Sequence, residues 1–131
     1  MAYPISIFNF RSATDPGAPT LNNTPVTGVQ TVYSDLIGGE ASDGYAMTIF
    51  TTGTLTGTFS LFVTDKMFPD LTNDNDWVQD TGFTPVNPAG AAAKFRDDAA
   101  NAKGAFKRLK YVNASGTGTI QGFVTTPAFF N

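Results

Sequence analysis

The sequence predicts an all-β protein, a jelly-roll-like antiparallel β-sandwich of about eight strands, on three observations. The vocabulary is that of strands and turns: threonine is the commonest residue at 19, with glycine at 13 and phenylalanine at 12, while Glu40 is the only glutamate. Apolar and polar residues alternate with period two in several segments. Between those segments stand clusters of Gly, Asn, Asp, Ser and Pro at fairly regular spacing.

At 131 residues the chain is expected to form one domain over 1–131, with enough Phe, Leu, Ile and Val to fill a core. In chain order, strands are expected at 5–10, 29–34, 45–50, 59–64, 77–80, 92–97, 105–112 and 117–125. The alternation is plainest where Tyr45, Met47 and Ile49 oppose Ala46, Thr48 and Phe50, and where Phe59, Leu61 and Val63 oppose Ser60, Phe62 and Thr64. Gly38-Gly39, Ser42-Asp43-Gly44, Thr52-Gly53-Thr54, Asn73-Asp74-Asn75-Asp76, Asn87-Pro88 with Gly90, and Ser115-Gly116 supply the turns.

One region has two readings. Over 91–106, Phe95, Ala99, Ala102 and Phe106 have helical spacing, whereas Gly104 and the alternation of Phe106, Arg108, Lys110 and Val112 against Ala105, Lys107, Leu109 and Tyr111 favour two strands. Residues 11–27, with three prolines and few apolar side chains, predict an extended N-terminal arm or loop. Residues 126–131 form an apolar tail in which Phe129 and Phe130 need cover, either from the domain's own core or from a neighbouring chain. The three Thr-Gly-Thr tripeptides, at 52–54, 56–58 and 117–119, read as composition and not as a structural repeat.

The composition also excludes chemistry. With no Cys and no His there is no thiol or imidazole nucleophile, no thiolate or imidazole metal ligand and no disulfide. Ser-x-x-Lys, Gly-x-Ser-x-Gly and P-loop patterns are absent. Asp97 and Asp98 are neighbours that a strand sends to opposite faces, so they cannot flank one glycosidic bond. No enzymatic activity and no cofactor are expected; a hydrolase built on aspartates and a divalent metal ranks last. The acidic turn at 70–76, near Asp65 and Asp80, has the oxygen ligands that calcium takes but lacks the EF-hand glycine and terminal glutamate. The plainer expectation is that its Asn and Asp side chains cap their own backbone ahead of a core Trp77. Nothing in 1–10 has the pattern of a secretory signal, and no apolar run is long enough for a membrane helix.

Charge is unevenly spread. Lys94, Arg96, Lys103, Lys107, Arg108 and Lys110 fall within 94–110 against Asp97 and Asp98, whereas 1–93 carries nine acids against Arg11 and Lys66. This segment is expected to be a solvated basic hairpin or a contact for an acidic surface, self-association included. Phe95, Phe106 and Tyr111 interleave with it, but a sequence pI of about 4.5 argues against nucleic acid as the partner.

From residue 59 to residue 124 the order of features resembles a β-sandwich type found in small structural proteins of tailed bacteriophages, itself similar to discoidin-like carbohydrate-binding sandwiches. The matching pieces are Phe59-Ser60-Leu61-Phe62-Val63-Thr64, the turn Asn73-Asp74-Asn75-Asp76-Trp77-Val78, the connection Pro85-Val86-Asn87-Pro88-Ala89-Gly90-Ala91-Ala92, the strand Phe106-Lys107-Arg108-Leu109-Lys110-Tyr111, and Ser115-Gly116-Thr117-Gly118-Thr119. They span about half of the chain. The resemblance implies a capsid decoration, or cement, protein: a homotrimer made in the bacterial host cytoplasm that binds the major capsid protein on the outer virion surface. Arg11, Leu21, Phe129 and Phe130 are then expected to make arm or tail contacts, and Lys107, Arg108 and Lys110 electrostatic ones. The alternative is a carbohydrate-binding module of a phage tail, fibre or baseplate, with Trp77 and the turn at 73–76 exposed to a sugar.

Overall fold

A computed structural model describes residues 5–7, 10–12, 15–20, 24–34, 37–38, 45–99 and 106–125, and side chains over 24–34, 48–96 and 106–122. The strands are β1 (Ile5–Ile7), β2 (Phe10–Ser12), β3 (Asp15–Thr20), β4 (Thr24–Thr27), β5 (Gln30–Ser34), β6 (Ile37–Gly38), β7 (Tyr45–Thr51), β8 (Thr56–Thr64), β9 (Val78–Gln79), β10 (Ala93–Ala99), β11 (Phe106–Ser115) and β12 (Thr117–Thr125). The described residues hold no α-helix, only a 3-10 turn over Asp74–Asp76. They form two antiparallel sheets packed as a sandwich, as the alternation predicts. One runs β1-β12-β7-β10 with β4 also on β12, and the other runs β3-β2-β5-β11-β8-β9 with β6 also on β11.

The chain changes sheet at nearly every connection, from β4 to β5, β7 to β8, β10 to β11 and β11 to β12. Each inner face therefore meets residues from neighbouring stretches of sequence. Val26, Ile49 and Ile120 from the five-stranded sheet face Val32, Phe59, Leu61, Leu109 and Tyr111 from the seven-stranded one, with Leu55 and Phe83 closing the core. Phe59 lies at its centre, 4.3 Å from the Tyr111 ring and 5.2 Å from that of Phe95 across the gap. Burying each such side chain is worth roughly 1.5–3 kcal/mol, and aromatic pairs add about 0.5–1.5 kcal/mol each.

The arm expected at 11–27 is corrected: its described residues are strand, in the end of β2, β3 and β4. Proline argued for a loop, but a strand tolerates it where no ladder hydrogen bond is owed. Pro16 and Pro19 sit in β3 at the rim of the seven-stranded sheet, and Pro25 sits in β4, which pairs only with β12 among the described residues. The helical reading of 91–106 is corrected too, because β10 pairs with β7 from Ala93↔Thr51 to Ala99↔Tyr45; residues 100–105 lie outside the described ones.

Two of the Thr-Gly-Thr tripeptides do more than punctuate. Residues 52–54 and 117–119 lie against one another, with Thr52 N–H donating to the Thr119 carbonyl and Thr54 N–H to that of Thr117. The two hydroxyls of Thr52 and Thr119 are 2.6 Å apart. The approach demands glycine: a Cβ on Gly118 would meet the Thr52 carbonyl, and one on Gly53, at φ 78°, that of Thr117.

Candidate functional site

The acidic turn is built from local chemistry. Asn73 caps the 3-10 turn by accepting from Asn75 N–H at 3.0 Å, and the Asp70 carboxylate accepts from Thr72 N–H at 3.1 Å. Trp77 then turns inward, only 6% exposed, and its indole N–H donates to the Asp70 carbonyl at 2.9 Å. The sequence expectation of self-capping residues ahead of a core tryptophan fits this geometry, and the exposed Trp77 required by the sugar-binding alternative is corrected.

The segment between β8 and β9 lies over the outer face of the seven-stranded sheet. Arg108 leaves β11 on that face, yet it is completely buried there. Its guanidinium carbon sits 4.4 Å from the Tyr33 ring centre, 4.9 Å from Trp77 and 5.2 Å from Phe62, while its N–H groups donate to the Leu71 carbonyl and the Asp74 carboxylate. Aromatic faces and two charge-assisted hydrogen bonds replace the water a guanidinium gives up on burial. Lys110 reaches the other Asp74 oxygen at 2.7 Å, and the Tyr33 hydroxyl donates to Asp74 at 3.3 Å. Partial burial pushes the Asp74 carboxyl up, but hydrogen bonds from Lys110 and Arg108 outweigh it and hold the group below its ordinary value.

The three bases of β11 divide differently from the expectation. Lys107 shares the inward face of Leu109 and Tyr111 and is 4% exposed; burial pulls its ammonium down, while the charges of Asp80 and Asp65 act the other way. Lys107 and Arg108 are thus corrected as surface contacts, because one points between the sheets and the other is roofed by the loop. Lys110 stays partly exposed but is committed to Asp74. Arg11 pairs with Tyr33 in the β2–β5 register. Leu21, Phe129 and Phe130 lie outside the described residues.

Two surface features remain. A second clasp holds the tip of the roofing loop: Asp76 accepts from Lys66 Nζ at 2.6 Å and from Asp70 N–H at 2.7 Å, drawing both ends of 66–70 together. Those bonds keep the Asp76 carboxyl below its usual range. At the tip, Met67 and Phe68 are 71% and 89% exposed, and Phe68 holds a positive φ of 55°, a conformation bulky residues adopt at a cost. Asp65 and Asp70 stand exposed beside it.

The second feature lies on the outer face of the five-stranded sheet. In the β7–β10 register Phe50 opposes Lys94 and Thr48 opposes Arg96, and these residues with Phe95 line an open depression of about 300 Å³. Lys94, Arg96 and Phe50 are exposed. The basic run was legible in the sequence, but Phe50 and the Phe68 tip were missed. Alternation in 45–50 and in 92–97 carried the first signal; nothing in the sequence marks the second.

Fold and surface together define a β-sandwich module in which, among the described side chains, Asp74, Asp76 and Trp77 hold the loop between β8 and β9 in place. No family model and no curated protein matches the chain. Among solved structures it is similar to the K1 cleaved adhesin domain of Lys-gingipain from Porphyromonas gingivalis W83, at a TM-score of 0.44 and 7% identity, covering 92% of this chain and 73% of that one. Nothing about function follows from a likeness at that level.

Proposed function

We propose that this chain is a non-enzymatic structural protein of a bacteriophage virion, a capsid decoration protein that binds the outer shell as a homo-oligomer and stiffens it. The observation that supports this reading best is the pairing of a locked interior with contact chemistry left outside. Asp74, Asp76, Arg108 and Trp77 serve the fold, whereas the Met67-Phe68 tip and the Phe50, Lys94 and Arg96 face are displayed to solvent. An aromatic side chain held exposed on costly backbone gains its worth when a partner covers it. Repetition over a shell multiplies modest contacts through effective concentration. Sedimenting heads that lack the protein after mixing them with it tests the proposal: saturable co-sedimentation is expected, and its absence overturns the assignment.

A further inference from the structure

From this charge and shape pattern we infer that the Met67-Phe68 tip of one copy docks into the Phe50, Lys94 and Arg96 depression of a second copy, so that molecules join head to tail. The inference rests on the structural-protein reading and names the partner within it. Charge complementarity carries it. Asp65 and Asp70 stand exposed beside the tip, while Asp74 and Asp76 are already matched by Arg108, Lys110 and Lys66, which leaves this end with a small net negative charge; the depression is edged by Lys94 and Arg96. Opposite rims steer the encounter and disfavour tip-to-tip or face-to-face pairing.

Shape agrees with charge. About 300 Å³ is at the lower limit of small-molecule sites, which suits one large side chain better than an extended ligand. Phe68 is such a side chain, projecting from a loop whose two ends the Asp76 carboxylate pins. Little ordering entropy then remains to be lost on docking.

The tip belongs to the loop over the outer face of the seven-stranded sheet, and the depression lies on the outer face of the other sheet. Different patches therefore meet, and the contact is heterologous. A reciprocal twofold pair would need both outer faces to meet the same partner at once, and in a pair joined by one contact one copy keeps an unused tip and the other an unused depression. Copies add until a ring closes, a trimer included, or continue as a chain.

Two variants test this by capping opposite ends. Phe68→Gly removes the tip and suits the positive φ, so its melting temperature is expected to stay level or rise. Lys94→Glu with Arg96→Glu reverses the rim of the depression on an exposed strand face. In sedimentation velocity the wild type is expected to exceed dimer size as concentration rises, and to dissociate roughly tenfold more readily on going from low to high salt. Each variant alone is expected to be monomeric, and the two mixed to stop at a one-to-one dimer joined by the single intact contact. A monomeric wild type, a wild type that stops at dimer, or a mixture that stays monomeric overturns the inference. Head co-sedimentation by the same variants is scored separately, so loss of self-contact and loss of shell binding are told apart.

Discussion

The Asp74 carboxylate reaches the Arg108 guanidinium at 2.5 Å across 34 positions of sequence, and this one pair ties the loop between β8 and β9 to the outer face of β11. Arg108 is the buried partner and Asp74 the half-exposed one. The pair therefore lies at the margin of solvent, with the arginine's cost of burial offset chiefly by three aromatic rings and the Leu71 carbonyl.

That arrangement predicts an order among substitutions. Arg108→Lys keeps the charge but loses the planar fork and its stacking, and is expected to cost about 2–3 kcal/mol. Arg108→Met keeps volume in the aromatic cage and leaves no buried charge, so it is expected to cost less than Arg108→Lys. Urea unfolding followed by Trp77 fluorescence reads both, since Trp77 is one wall of the cage. If lysine were tolerated better than methionine, charge alone and not the cage would hold the loop.

The carboxylates predict the acid limb of stability. Asp74 and Asp76 both hold their protons more weakly in the fold than in the unfolded chain. Their contribution is thus present above the unfolded carboxylate value of about 4 and is lost as pH falls through the lower folded values. For half-exposed Asp74 it should amount to about 1 kcal/mol or less after screening. Thermal melts between neutral pH and strong acid should decline below about pH 4, and Asp74→Asn should flatten part of that decline. An unaltered acid slope in Asp74→Asn would show that its ion pairs are not what acid breaks.

How much of this was legible in the sequence depends on range. Ile49 inward and Phe50 outward follow from alternation within one strand, and so does the shared inward face of Leu109 and Tyr111. A period-two pattern says which residues share a face but not what lies on it. Arg108 and Lys110 therefore read as solvated, because the loop that covers them joins the chain more than thirty residues earlier. Pro16, Pro19 and Pro25 misled for a related reason: whether a strand is at an edge is decided by its neighbours, and local composition carries no record of them.

The crossed tripeptides predict a steep glycine dependence. Gly118→Ala would place a methyl against the Thr52 carbonyl, and Gly53→Ala would add a positive φ to a similar clash. Each is expected to cost about 2–4 kcal/mol, as for overpacked or backbone-strained sites. Thr119→Val, which loses only the hydroxyl contact with Thr52 at the surface, should cost about 1 kcal/mol or less. Equal tolerance of all three in denaturant titrations would mean that the tripeptides are interchangeable turns.

Tyr111 sets the alkaline limb, and the sign is opposite to that of the aspartates. Its ring is buried in the core beside Phe59, and its hydroxyl donates to Asn113 Oδ1 at 2.6 Å. Burial pushes the phenol up to about 12, against about 10 for a tyrosine in an unfolded chain. A folded value above the unfolded one means that the contribution is complete below pH of about 10 and is lost as pH rises toward the folded value. Of the four tyrosines, Tyr111 should therefore ionise late, together with loss of the fold, and Tyr33, which burial and then the Asp74 charge also push up, should follow the same direction. Tyr111→Phe should remove one tyrosine's share of the late ionisation from the ultraviolet titration, leaving that of Tyr33. It should also cost about 1–3 kcal/mol at neutral pH, because Asn113 Oδ1 is left buried without its donor. The remaining Asn113 bonds, from Nδ2 to the Gly28 and Gly116 carbonyls, hold that side chain in place and prevent it from turning to recover the loss. A titration in which every tyrosine ionises near pH 10 while the fold persists would mean that water reaches Tyr111, and that the centre of the sandwich is less tightly closed than its packing requires.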